Sequence, residues 1–555
     1  MSGRLANRRI RLLLAIFVLA FGGTLLRAVW LQGVRAQALG QMAARQHRQE
    51  VTIAAGRGTI YDATGVELAI GEQATTVYAD PMQIQDPAKT AAIVARILRL
   101  KRRDVLAKLA DRRLGFIYLE RKADPGRAAA LAKLNLTGLG FYPEERRFYP
   151  QHSVAAQVLG YAGTDNHGLA GLELSLDRAL AGRTGHETLV RDPFGHVLDS
   201  STSTPARDGT DVYLTIDHTI QAQAETVLRQ TVQKWRAKDG TAIVLDPHSG
   251  AVLAMAVAPT YDANNFPSVR RDLQRNRAIT DTYEPGSTFK LVTVAGVLST
   301  HLVTPQTAFT LPYEIQVADR RIHDAELRGT QRMTVAEILS RSSNVGAITL
   351  AEKLGKTRLL DWISRFGFGH QTGIDYPGES SGILPSYWSG SSIGNIPIGQ
   401  GISVTPIQMA SAYAAIANRG LWRQPHLIDH LGGVPRQRQL TSRRIVSRRV
   451  ARELTAMLQN VVLDGTGTLA RIPGYEVAGK TGTASKPDAH GYSSSKYVAS
   501  FVGFVPATRP RIVVLVAIDE PKGAIWGGVV AAPAFAQIAQ PTLQYLQAPP
   551  DAPLH

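Results

Sequence analysis

Along the first forty residues, polar and apolar positions separate into blocks. Residues 1–11 carry Arg4, Arg8, Arg9 and Arg11 and no acid, and the run from Leu12 to Leu26 holds no charge. Arg27 interrupts it, followed by Ala28, Val29, Trp30 and Leu31. Counted through Leu31 the block is ~20 residues, or about 30 Å of helix, enough to cross a bilayer if Arg27 snorkels to the far headgroups beside Trp30. The pattern predicts a cytoplasmic tail over 1–11, a single transmembrane anchor over 12–31, and an extracytoplasmic remainder, because arginines stay on the cytoplasmic side. The rival is a cleaved signal peptide with Ala36-Gln37-Ala38 as its box, but that box lies ten residues past Leu26, across Arg27 and Arg35.

Residues 32–50 are rich in Gln, Ala and Arg with few breakers and read as a helical stalk. Short strand-like runs follow at Val51 to Ile53 and Thr75 to Tyr78, with turn residues Gly56, Gly58 and Gly65 between them and helical stretches near 87–111 and 125–134. This is mixed α/β material. From Asp208 the texture changes: DGTDVYLTID reads as a turn and an alternating strand, Gln221 to Trp235 as a helix, and TAIVLDPHSGAVLAMAVAP as a hairpin around Asp246, Pro247 and Gly250. A boundary is expected near 220, with a second domain over 221–545 and a frayed Pro-rich tail over 546–555.

Composition narrows the chemistry. At 555 residues and 44% hydrophobic, the chain fits two to four domains with real cores, which excludes disorder as its main state. With no cysteine, disulfides, Cys-ligated metals and thiol nucleophiles are excluded, so covalent catalysis must use Ser, Thr, Lys or a carboxylate. Sixty-two Lys+Arg against 45 Asp+Glu leave +17, which points to an anionic neighbour or to Arg-rich coding. Export makes nucleic acid an unexpected partner. The 14 histidines show no ligand spacing, so no metal is expected. Gly465-Thr466-Gly467 imitates a dinucleotide fingerprint but lacks a strand-helix-strand frame; it reads as a tight turn, and no cofactor is expected.

The candidate chemistry lies in the second half. In EPGSTFKLVTVAGVL, Pro285 and Gly286 precede Ser287 and an apolar helix follows, so Ser287 belongs at or near a helix N-terminus. Lys290, three residues on, shares its face, and a desolvated lysine can take the serine proton. A lone Ser-x-x-Lys is weak, and Ser493 and Lys496 repeat it inside a Ser-rich loop. The first match has company: Ser342-Ser343-Asn344 opens another helical pattern, and Lys480-Thr481-Gly482-Thr483 follows. Ser342 can relay a proton, Asn344 can bind a substrate amide, Lys480 supplies positive field, and Gly482 lets a substrate backbone lie against the strand. Backbone N–H groups of Ser287 and Thr483 can hold an oxyanion.

EPGSTFK, SSN and KTGT, with about 55 and then about 140 residues between them, resemble the active-site motifs of the penicillin-binding proteins and serine β-lactamases. Upstream, Arg57-Gly58-Thr59-Ile60-Tyr61-Asp62, Glu145-Arg146-Arg147-Phe148-Tyr149-Pro150 and Gly168, Gly171 and Glu173 resemble stretches of the class B penicillin-binding proteins. IPIGQGISVTPIQMASAYAAIANRG resembles that family's GQG-x-x-x-TPxQ helix, and YVASFVGFVPATRPRIVVLVAIDEP the closing strand pair of its division-type members.

The resemblance implies an α/β (α+β) chain: a mixed pedestal over 32–220, then a transpeptidase domain with a five-stranded antiparallel sheet between helices. It implies that Ser287 attacks the penultimate D-Ala of a peptidoglycan stem peptide and that the acyl-enzyme passes to an amine on a neighbouring peptide. Lys290 is then the base, Ser342 and Lys480 the proton relay, Asn344 the amide ligand, and Thr481 and Thr483 contacts to the terminal carboxylate. β-Lactams are implied as inhibitors, and a glycan polymerase of the shape, elongation, division and sporulation family and other division proteins as partners in the inner (cytoplasmic) membrane. The alternatives are an elongation-type enzyme, a D,D-carboxypeptidase or β-lactamase using the same serine, and a non-catalytic scaffold; the absence of an ExxLN segment speaks against one class of hydrolase.

Overall fold

The computed structural model describes residues 2–37, 48–53, 55–191, 197–435, 439–488 and 491–553. Packing divides the chain into two compact units, one of Met1–Gly56 with Gly182–Asp208 and one of Arg57–Ala181 with Gly209–His555.

In the first unit, helix α1 (Ser2–Val29) runs into one π-turn, Trp30–Val34. From Asn7 to Val34 it is long and apolar enough to cross a membrane, and it buries none of its apolar window against protein. The π-turn bond from the Arg35 amide to the Trp30 carbonyl, 3.0 Å, sets residue 35 over residue 30. The Arg35 guanidinium lies over the Trp30 ring, 4.4 Å from its centroid. The unit also holds a three-stranded antiparallel sheet in which Gly185–Arg191 lies between Arg48–Ile53 and Val197–Thr204. The expected helical stalk is thus already a strand by Arg48, while 38–47 lie outside the described residues.

In the second unit, residues 57–181 share one hydrophobic core with the catalytic half: Ile60, Leu68, Leu159 and Leu172 belong to the same buried cluster as Met255, Phe289 and Tyr413. The three upstream stretches meet at Glu173. Its fully buried carboxylate takes Arg57 Nε at 2.7 Å and Arg147 Nε at 2.6 Å, while Arg57 also reaches Asp177 at 2.7 Å. Charges this deep are tolerated only when paired and hydrogen-bonded, which is why one acid and two arginines, far apart in sequence, must arrive together.

The second half is built on five antiparallel strands: β1 (Asp239–Leu245), β2 (Val252–Ala258), β3 (Ala478–Asp488), β4 (Gly491–Val505) and β5 (Ile512–Asp519), in the order β2-β1-β5-β4-β3. The central strands read as continuous apolar runs because both faces are covered. Ala242, Val244, Val514 and Val516 face the cluster that holds Ile220, Leu228, Phe535 and Ile538. These come from helices α2 (His218–Lys234) and α7 (Ala532–Tyr545). The alternate residues Ile243, Leu245, Val513 and Leu515 join the main core on the other face. The five-stranded antiparallel sheet between helices is as expected. Two details differ. Ser493 and Lys496 stand on β4 rather than in a loop. The tail is pinned, since the Asp551 carboxylate accepts from the Glu476 amide at 2.8 Å and the Thr508 hydroxyl at 2.6 Å.

Candidate active site

Ser287 sits in a 3₁₀ turn, Gly286–Phe289, that opens directly into helix α3 (Lys290–Ser299). The turn is braced from behind. Gly399, at φ +78°, lies so close to Gly286 that a Cβ would stand 2.1 Å from the Gly286 oxygen. Gly399 leads into helix α5 (Pro406–Ala417), whose Thr405 and Gln408 form a reciprocal capping box and whose Tyr413 hydroxyl donates to the Thr288 carbonyl at 2.9 Å. The half-buried Ser287 is therefore held on a rigid element while its neighbours Gly286 and Thr288 are buried.

Lys290 is fully buried. Its Nζ donates to the Ser342 carbonyl at 2.5 Å, to Ser342 Oγ at 3.2 Å and to Asn344 Oδ1 at 2.8 Å. Burial pushes it down to about 7, against the pull of Asp324. Ser342 has a left-handed backbone, φ +60°, which a non-glycine residue adopts only under constraint. The three residues after it are held by Asp324, whose carboxylate accepts from the Asn344 amide at 2.5 Å, the Val345 amide at 3.0 Å and the Ser343 hydroxyl at 3.0 Å, and pairs with Arg328 at 2.5 Å. It places an anion at the N-terminus of helix α4 (Asn344–Leu354), where the dipole favours it. Nothing in the sequence marks Asp324, which lies 19 residues before Ser343.

Strand β3 carries the third group at the sheet edge. Lys480 is fully buried, and burial first, then the Lys290 charge, lowers it well below the usual lysine range. Its Nζ lies 3.3 Å from Thr481 Oγ1, which in turn bonds Thr466 Oγ1 at 2.6 Å. Thr466 belongs to the Gly465-Thr466-Gly467 turn that follows helix α6 (Arg448–Leu463), so that turn serves the site and is not a nucleotide fingerprint. Thr483 Oγ1 accepts from the Gly527 amide at 3.1 Å. On an antiparallel edge strand alternate residues turn both backbone groups outward, and the Thr483 oxygen stands 3.0 Å from where a Cβ on Gly286 would be. The free edge of β3 thus faces the Ser287 turn. Gly482 also answers a packing need. A Cβ there would meet Ser500 Oγ at 2.3 Å and the Pro285 oxygen at 2.9 Å, so its bareness lets the serine turn pack against the sheet.

Among the described residues, Asp62, Asp217 and His218 bring ligand atoms within 4.8 Å of one another. Their donors and acceptors are already engaged: Asp62 accepts from Thr64, Val66 and His218, and Asp217 caps α2. These bonds account for the cluster without an ion.

A family model described as the penicillin binding protein transpeptidase domain matches residues 240–540, and one described as the penicillin-binding protein dimerisation domain matches 52–214. The chain belongs to the class B penicillin-binding proteins. It is 33% identical over 558 residues to the peptidoglycan D,D-transpeptidase FtsI of Escherichia coli (strain K12), covering 98% of this chain and 93% of that protein. It is 34% identical over 570 residues to stage V sporulation protein D of Bacillus subtilis (strain 168), covering 99% and 88%. Among solved structures it is similar to penicillin binding protein 3 of Mycobacterium tuberculosis complexed with aztreonam, with a TM-score of 0.72 and 31% identity over 91% of this chain and 99% of that one. This class B penicillin-binding protein is accordingly a peptidoglycan D,D-transpeptidase.

Proposed function

We propose that the enzyme cross-links stem peptides through an acyl-enzyme on Ser287, and the observation that carries this is the fully buried Lys290, held at about 7 by desolvation. Its neutral amine takes the Ser287 proton as Oγ attacks the penultimate D-Ala carbonyl. The resulting oxyanion is received by the backbone N–H groups of Ser287 and Thr483. Collapse of the tetrahedral species breaks the peptide bond, and the leaving D-Ala nitrogen takes a proton passed through Ser342 and Lys480. An amine of a second stem peptide then attacks the ester, gives up its proton to the same relay and restores Ser287. Asn344 holds the donor amide, and Thr481 and Thr483 the terminal carboxylate. β-Lactams present the same carbonyl and carboxylate and acylate the same serine.

The apolar α1 supports a single-pass anchor in the inner (cytoplasmic) membrane, followed by a pedestal over 32–220 and a catalytic domain over 221–545 outside it. The β4 and β5 sequences resemble those of division-type members, which supports septal synthesis beside a glycan polymerase and other division proteins. Labelled penicillin distinguishes transfer from hydrolysis: the acyl-enzyme is expected to persist for minutes or longer, and release within seconds would point to a β-lactamase-type enzyme. Depletion is expected to give filaments; spheres would assign it to elongation.

A further inference from the structure

One stretch of the sequence in the catalytic half concentrates charge that the reaction does not use. Between residues 419 and 452 there are nine arginines and a single acid, Asp429, a local excess of +8 within the total of +17. A general coding bias would not gather half the excess into so short a stretch.

Three of these arginines, joined by Arg509 from the β4–β5 turn, converge on a cavity of about 550 Å³. Arg419 comes from the turn just past α5, and Arg448 and Arg452 lie four residues apart at the start of α6. No carboxylate lines the cavity, and among the described residues none of the four guanidinium groups makes an ion pair or a hydrogen bond. The nearest acids stand behind the lining and are hydrogen-bonded or paired: Glu453 with Arg449 at 2.9 Å, Glu476 with the lining Gln459 at 2.5 Å, and Asp551 with the lining Thr508 at 2.6 Å. One wall is fixed by His248, whose ring nitrogens reach Asn418 at 3.1 Å and the Pro510 carbonyl at 2.8 Å. That contact ties the β1–β2 turn to the end of α5 and to the β4–β5 turn.

This arrangement works against the local fold. Like charges four residues apart on a helix repel, and cations in a first helical turn oppose the helix dipole. The first turn of α6 contains no acid to offset them. Four unpaired forks around one concavity instead suit a compact anion with several oxygens and more than one charge. The cavity is separate from the active site. Helix α6 is 16 residues long, ~24 Å, with Arg448 at its start and the Thr466 turn beyond its end.

We propose that this cavity binds a diphosphate group through Arg419, Arg448, Arg452 and Arg509. A diphosphate carries enough charge and oxygen atoms in a small volume to engage all four, whereas a single carboxylate satisfies one fork. The group can arrive free or as the headgroup of a lipid.

The test uses the full chain in detergent and titration calorimetry at fixed ionic strength, with inorganic pyrophosphate, farnesyl diphosphate and malonate as probes. Pyrophosphate is expected to bind saturably, one per chain, and malonate about tenfold more weakly or worse. R448Q/R452Q is expected to weaken pyrophosphate by about tenfold or more, while leaving labelled-penicillin acylation within about twofold of wild type. Without anion this variant should melt no lower than wild type, because it removes a repulsion, and pyrophosphate should raise the Tm of wild type only. R419Q/R509Q, changed on turns rather than on the helix, should show the same loss of binding. Tighter binding of farnesyl diphosphate than of pyrophosphate assigns the group to a lipid headgroup; equal binding assigns it to a free anion. The proposal is overturned by absent or non-saturable pyrophosphate binding, by unchanged affinity in both variants, or by malonate binding as well as pyrophosphate.

Discussion

At the scale of single residues, the site depends on a lysine made reactive by where it is buried. Lys290 has no exposed surface, so its charged form loses solvation that Ser342, Asn344 and the more distant Asp324 only partly replace. Its folded value of about 7 lies below the value of 10.5 it would have in an open chain, so the neutral base is already present near neutral pH. Acylation by labelled penicillin should rise about tenfold per pH unit up to about 7 and level off above it. A flat profile from acid to neutral pH would remove Lys290 as the base. Lys290→Ala should lower the acylation rate by about 100-fold or more, the usual size of a general-base contribution.

At the scale of elements, what matters is how turns and helix ends present these side chains. The Pro285-Gly286-Ser287 sequence and the apolar run behind it make the serine's place at a helix start legible. The five-stranded sheet is expected from the family resemblance of the motifs, and its central strands, covered on both faces, read as continuous apolar runs. The sequence is silent on Asp324, because the acid that holds the residues just after the left-handed Ser342 comes from an unrelated loop. It is equally silent on the Thr466 hydroxyl beside Thr481, and on the packing need at Gly482, whose tight contacts exist only once the serine turn is docked. Asp324→Asn keeps the size of the side chain but removes the anion at the start of α4. It should slow acylation by about tenfold or more, and melting should show a loss of about 1–3 kcal/mol. Acylation at the wild-type rate would mean that the Ser342 turn holds itself.

At the scale of the whole molecule, the pedestal stretches and the catalytic half fold as one unit because buried polar groups cross between them. Glu225 on α2 is the clearest case: its carboxylate accepts from the Ala155 amide at 2.8 Å and from Gln221 at 2.7 Å, and burial raises it to about 7. The folded state then holds a proton that the unfolded state releases between its ordinary value of 4.5 and about 7. This contribution to stability is full below that window and is lost as pH rises through it. Glu225→Gln, which keeps the acceptor without the charge, should raise the unfolding free energy at pH 8 by an amount on the order of 1–3 kcal/mol and leave it nearly unchanged at pH 4. An equal shift at both pH values would contradict the assignment. The central claim, that this transpeptidase acts through Ser287, is tested most directly by incubating the full chain with penicillin and mapping the adduct by peptide mass spectrometry. One penicilloyl group is expected on the peptide containing Ser287 and none in Ser287→Ala; an adduct elsewhere, or one retained in that variant, would rule Ser287 out as the nucleophile.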